Sequence, residues 1–240
     1  AGLFSLRAVG QAWVAAYTAG MARSPARIVI LISGRGSNMT ALIEAAKAPD
    51  YPAEIVLVMS NITGAAGLDS AHAAGIETVT VESNLFGKDR ESFERAMQDE
   101  LLRHKIDLVC LAGFLRLLTP WFIQQWDGRL INIHPALLPS YRGLHTHERA
   151  LADGVKIHGA TVHFVVPEMD SGPIIMQGAV AVRDDDTPDT LAQRVLAVEH
   201  RIYPDALRLV ASGSTRIANG ICKSDANGSP DDALISPEVI

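Results

Sequence analysis

Only two cysteines occur in the 240 residues, Cys110 and Cys222. One lies in an apolar run and the other in a polar stretch, so they make no disulfide framework, and a reducing cytoplasm is the expected setting. No run approaches the roughly 18 apolar residues that a membrane-crossing helix requires. Positive charge is scarce as well: 21 Lys and Arg stand against 27 Asp and Glu, a net charge of −6. A nucleic-acid surface needs clustered cations, so that class is excluded, although backbone groups can still hold a single phosphate. No zinc spacing occurs among the histidines, His145 and His147 included, and no metal is expected. Internal repeats and an interdomain linker are also missing. What remains is a globular composition, 48% hydrophobic and 20% charged, on a chain long enough for one sizeable core.

Along that chain, strand and helix patterns alternate. Arg27–Ile32 is a β-branched run that reads as a buried strand, and Met39–Lys47 follows as a helix. Strand Glu54–Ser60, helix Ala65–Ala74, strand Glu77–Val81, helix Lys88–His104 and strand Asp107–Ala112 continue the series. Such alternation predicts an α/β fold: one doubly wound, mostly parallel sheet with a Rossmann-like nucleotide-binding half. Lys156–Val166 and Pro173–Val182 predict an antiparallel hairpin at its edge, and Thr187-Pro188-Asp189-Thr190 caps a long helix running to about Val210. Residues 1–24 read as an N-terminal extension outside the fold, with Met21 a natural start just ahead of the first strand. Residues 25–212 read as the catalytic domain. Residues 213–240, polar and containing Pro, Gly and Ser, read as a disordered tail.

Two stretches carry chemistry. Ser33-Gly34-Arg35-Gly36-Ser37-Asn38 forms a glycine-rich turn between the first strand and its helix. Free N–H groups and the helix dipole favour an anion there, with Ser37 and Asn38 adding donors and capping ability. The third glycine of the dinucleotide fingerprint is missing, so a monophosphate fits better than a pyrophosphate. In Leu130-Ile131-Asn132-Ile133-His134-Pro135, the Asn132 amide and the His134 imidazole fall on one strand face, and Pro135 ends the strand as it delivers them. Taken alone, such a pair is more often structural than catalytic. Met169-Asp170-Ser171-Gly172-Pro173 joins the two edge strands, where Asp170 is a turn-former that could also fold over the crevice and meet His134. Ligands of such sheets bind outside the carboxyl ends of strands, so these segments can converge. Gly113–Pro120 reads as an apolar loop, either core or a greasy wall for a flat heterocycle. Arg90 is a surface charge or a ligand for a carboxylate.

Six segments then occur in a telling order: Ile32–Asn38, Leu111–Arg116, Asn132–Pro135, Gly143-Leu144-His145-Thr146-His147, His158–His163 and Met169–Pro173. With them the chain resembles the folate-dependent phosphoribosylglycinamide formyltransferases over about residues 27–212. The resemblance implies transfer of the formyl group of 10-formyltetrahydrofolate, a co-substrate, to the amine of 5'-phosphoribosylglycinamide in purine synthesis, with formyltetrahydrofolate hydrolysis as the alternative. It implies Asn132, His134 and Asp170 as the catalytic trio. Gly36, Ser37, Asn38, Met39, Thr40 and Glu199 match positions that hold the ribonucleotide. Arg90, Leu115, Arg116, Leu117, Leu118, Asn132 and the stretch Val166, Pro167, Glu168, Met169 and Asp170 match positions that contact the formyl-folate. Roles for His145, His147 and His163 stay open, as does the oligomeric state.

Overall fold

A computed structural model describes residues 24–225. Strand β1 (Ala26–Ile32) leads to helix α1 (Ser37–Ala45), then β2 (Ala53–Ser60), α2 (Ala66–Ala73) and β3 (Glu77–Thr80). Helix α3 (Arg90–Arg103), β4 (Leu108–Leu111), α4 (Pro120–Gln125) and β5 (Leu130–His134) follow. The chain continues through α5 (Thr146–Ala152), β6 (Ile157–Phe164), β7 (Ile174–Ala181) and α6 (Pro188–Ala211), and closes with β8 (Thr215–Ala218) and β9 (Ile221–Ser224).

Seven strands make one sheet in the order β3-β2-β1-β4-β5-β6-β7. Pairing is parallel from β3 through β5, and antiparallel from β5 to β6 and from β6 to β7. The expected parallel sheet with an antiparallel edge hairpin is therefore present. Its β1 shows why the pattern was readable. Ile28, Ile30 and Ile32 pack with Met39, Leu42, Tyr203 and Leu207 on one face, while Val29 and Leu31 pack with Phe93, Met97, Leu101 and Phe122 on the other. With helices on both faces the strand has no polar side, and it reads as an unbroken apolar run. Helix α6 opens on the anticipated cap: Thr187 Oγ1 accepts the Thr190 N–H at 3.2 Å, and the Thr187 N–H donates to Thr190 Oγ1 at 2.9 Å.

Strand order reverses between β1 and β4, the switch point where ligands of such sheets bind. The segments leaving β1, β4 and β5 thus emerge side by side, about 10 Å from first to last at ordinary strand spacing.

Two features go beyond the sequence reading. Helix α4 lies in a stretch to which no element was assigned: Thr119 caps it through the Phe122 N–H and Pro120 occupies its first turn. Six residues are too few to show a helical period. Disorder after residue 212 also does not hold throughout, since β8 and β9 pair antiparallel around Asn219-Gly220. Both turn residues have positive φ, 53° and 74°, the local chemistry of a tight hairpin that bulk composition hides. The reading of residues 1–23 as an extension, and the rest of the tail from 226, lie outside the described residues. No helix among the described residues is long and apolar enough to cross a membrane.

Candidate active site

Strand β5 delivers its two polar groups as its alternation requires. Asn132 pairs with His163 across β6 and His134 pairs with Thr161, so all four side chains share one sheet face. Asn132 is half-buried and His134 buried. The chain leaving His134 is pinned at once: Thr161 Oγ1 donates to the Ala136 carbonyl at 2.7 Å and accepts the Leu138 N–H at 3.0 Å, and Gln177 Nε2 donates to the Leu138 carbonyl at 2.9 Å.

Asp170 arrives from the β6–β7 loop. That loop turns back hard against β6 at Gly172, where a Cβ would lie 1.7 Å from the Phe164 carbonyl oxygen; no other residue fits there. Asp170 itself sits at φ 49°, a strained setting for a side chain and one found at functional sites. Its Oδ2 accepts the Gly143 N–H at 2.8 Å and lies 3.5 Å from His134 Nδ1. The Nε2 of His134 donates to the Tyr141 carbonyl at 2.9 Å. One nitrogen of the ring is therefore tethered, and the other faces a carboxylate loosely enough to serve a ligand. Asp170, distant in sequence, is thus brought to the strand end that carries Asn132 and His134.

His163 is the residue that sequence reasoning missed. Its Nδ1 donates to the Phe164 carbonyl at 2.9 Å, and its Nε2 accepts from Asn132 Nδ2 at 3.3 Å. Burial pushes the imidazole below its usual range, with the Phe164 carbonyl and Asp170 opposing the shift, so the ring is held neutral. A neutral acceptor there fixes the Asn132 amide, with one N–H on His163 and the second directed elsewhere. Its other neighbour is Asp170 Oδ1, 3.9 Å from Nε2. Only strand register places His163 opposite Asn132, and register is not written in spacing.

Of the other two open histidines, His145 is exposed, while His147 packs edge-on against His158 at 5.3 Å between ring centres, with the Tyr141 ring also edge-on to His158 at 5.7 Å. Burial, and then the His147 charge, press His158 from near 6.5 down to about 4, the Pro135 carbonyl working the other way. A ring neutral in the fold but protonated in the unfolded chain binds fewer protons when native. Its contribution to stability is whole above the unfolded value near 6.5 and is lost as pH falls toward about 4, at up to ~1.4 kcal/mol per pH unit per proton. His158→Gln is expected to flatten that acid limb in urea unfolding followed at several pH values; an unchanged limb would refute the assignment. His147, His163 and His200 are depressed by burial too and steepen the same limb.

The glycine turn after β1 stands at the switch point and lines a cavity of about 220 Å³ with Ala112, Gly113 and Leu115. Gly36 caps α1 at φ 70° with no side-chain hydrogen bond, so the capping role expected of Ser37 and Asn38 is not theirs; they are the first helical residues. The unpaired N–H groups of that first turn remain. Ser37 is exposed. Asn38 is turned inward, its Nδ2 donating to Glu199 Oε2 at 2.6 Å while its buried Oδ1 finds no partner. Burial pushes the Glu199 carboxyl up, the Asn38 bond opposing. Met39 is fully buried in the core, so of this residue only the backbone can reach a ligand. Thr40 Oγ1 donates back to the Gly36 carbonyl at 3.2 Å.

Leu115, which lines that cavity, is 75% exposed, and Leu117 and Met169 are 64% and 55% exposed, large apolar side chains left without full packing. Leu118 instead packs on the core, and the Arg116 guanidinium lies 5.9 Å from the Phe93 ring centre. Arg90 is exposed at the first position of α3. Val166 is half-buried, with Pro167 and Glu168 exposed beside it. Among the described residues no cluster of three or more His, Cys, Asp or Glu could hold a metal ion.

Comparison with known proteins shows the family. The chain is 48% identical over 202 residues to the trifunctional purine biosynthetic protein adenosine-3 of Homo sapiens, covering 83% of this chain and 20% of that one. It thus spans about a fifth of the length of such relatives. With the phosphoribosylglycinamide formyltransferase of Escherichia coli (strain K12) it shares 41% identity over 211 residues, 88% of this chain and 99% of that one. The crystal structure of the Brucella melitensis phosphoribosylglycinamide formyltransferase superposes with a TM-score of 0.75 at 52% identity, covering 78% of this chain and 96% of that one. A formyltetrahydrofolate deformylase structure from Pseudomonas syringae pv. tomato is more distant, at 26% identity and a TM-score of 0.77, with 84% and 66% covered. Residues 26–207 match the family described as formyl transferase, and the chain belongs to that family.

Proposed function

We propose that the protein transfers the formyl group of 10-formyltetrahydrofolate to the primary amine of 5'-phosphoribosylglycinamide, giving the N-formyl ribonucleotide and tetrahydrofolate. One observation carries the reading. An amide, an imidazole and a carboxylate meet at the end of β5, with His134 3.5 Å from Asp170, two strands from a glycine turn made for a phosphate. The ribonucleotide phosphate would sit on the α1 N-terminus at Gly36–Thr40, with Glu199 and Asn38 below it. The donor would lie against Leu115–Leu118 and Val166–Asp170, its acidic tail toward Arg90.

The amine lone pair attacks the formyl carbon, and the carbonyl electrons move to oxygen. The Asn132 N–H that His163 leaves free is a donor for that oxyanion, and Nδ1 of a protonated His134 is the second. Collapse re-forms the carbonyl, breaks the bond to N10 and sends that electron pair to the nitrogen. N10 takes up one proton while the attacking amine gives one up, and an imidazole at the His134 position can carry that proton. Asp170 stabilises the imidazolium charge. Two substrates shape the site, with no covalent formyl-enzyme, no nucleic-acid partner and no membrane in the scheme. A reducing cytoplasmic setting, consistent with two free cysteines, belongs to the same proposal.

Following folate absorbance with and without the ribonucleotide tests it. Release of tetrahydrofolate only when the ribonucleotide is present is expected. Release without acceptor would make the protein a hydrolase like its deformylase neighbour, and no release would leave a binding module.

A further inference from the structure

The apolar loop between β4 and α4 holds the donor wall of the proposed site, yet Leu115 and Leu117 are largely exposed and lack the packing that would fix them. Two buried polar groups outside the trio hold this loop instead. Ser33, which opens the glycine-rich turn three residues ahead of the phosphate positions Gly36–Thr40, is buried just after β1, and its Oγ accepts the Leu115 N–H at 2.8 Å. The same hydroxyl donates to Asn61 Oδ1 at 2.6 Å, and Asn61 Nδ2 donates to Ser83 Oγ at 3.2 Å. Asn61 and Ser83 are buried as well, so the chain of bonds has no water to replace it. At the loop's far end, Glu94 is 1% exposed. One carboxylate oxygen accepts the Thr119 N–H at 2.7 Å and the other accepts the Thr119 hydroxyl. Burial pushes the Glu94 carboxyl up, while the Thr119 bonds and the charge of Arg90, one turn earlier on α3, draw it back.

We propose that Ser33 and Glu94 are positioning residues for the formyl donor, a two-point clamp that holds the loop from Leu115 to Thr119 in its binding shape. The inference rests on the reading of that loop as the donor wall. Both bonds clamp backbone that flanks Leu115–Leu118, so losing either lets the wall wander before the donor arrives, and that ordering is then charged to donor binding. Chemistry at His134 and the phosphate turn's own N–H groups are untouched by either bond.

Steady-state kinetics of the purified full chain, varying each substrate separately, tests the clamp. Ser33→Ala is expected to raise the KM for 10-formyltetrahydrofolate about tenfold, and Glu94→Gln, which keeps shape and one acceptor, about threefold. The kcat and the ribonucleotide KM should stay within about twofold, and Ser33→Thr, which keeps the hydroxyl, should restore most of the donor KM. A merely structural role would lower the active fraction, and so kcat, without moving the donor KM. Leu117→Ala separates the two levels. If it raises the donor KM and both clamp variants do not, the clamp is wrong and the wall stands; if all three leave the donor KM unchanged, the wall reading falls and takes the clamp with it. Should Ser33→Ala fail to fold, the donor KM of Glu94→Gln decides alone.

Discussion

His134→Ala is expected to lower kcat roughly 10³-fold, with the ribonucleotide KM changed by less than about threefold. The asymmetry follows from where the ring sits. Its Nε2 is held 2.9 Å from the Tyr141 carbonyl, which fixes the plane of the ring. Its Nδ1 points at Asp170 across 3.5 Å, too loose for a strong hydrogen bond and open to a substrate oxygen or a water. The phosphate turn leaves β1, two strands away from the strand that carries the ring. Ground-state binding of the ribonucleotide therefore has little to lose, whereas the transition state loses a donor and a proton carrier together. Turnover equal to the parent enzyme would remove His134 from the mechanism.

Asn132→Ala should cost roughly 10²–10³ in kcat, the usual price of one preorganised oxyanion donor. Asn132 does not titrate, so the variant should keep the shape of the parent pH–rate profile. The amide is preorganised by a partner that has no reason to contact substrate: His163 Nε2, 3.3 Å away, accepts one of its two N–H bonds. With the neutral ring holding the amide in place, the second N–H meets a developing negative charge without first having to reorient. An Asn132→Ala enzyme within about threefold of the parent in kcat would mean that the oxyanion is stabilised elsewhere.

Much of this arrangement was legible in advance because the signals are local. The buried run Ile28–Ile32, the glycine turn, the Thr187 cap and the alternation through Leu130–His134 each need only a few neighbouring residues to be recognised. Where local signals were short or compositional, they were silent or misled. Helix α4 was too brief to show a period, Asn219-Gly220 was hidden in a polar segment, and the side chains of Ser37 and Asn38 do not cap the helix they begin. Met39, matched by resemblance to the ribonucleotide turn, turns its side chain into the core and leaves only its backbone toward that turn.

By itself the sequence determined the sheet, its wrapping helices and the identity of the three polar groups at the crevice, since hydrophobic period and turn chemistry act over a handful of residues. Only the tertiary structure decided how those groups are poised. The Tyr141 tether on His134, the His163 hold on Asn132, the Gly143 N–H on Asp170 and the Ser33 bond to Leu115 join positions 7, 31, 27 and 82 residues apart. Such bonds depend on strand register and loop closure, which arise when the whole chain packs and leave no trace in spacing along it.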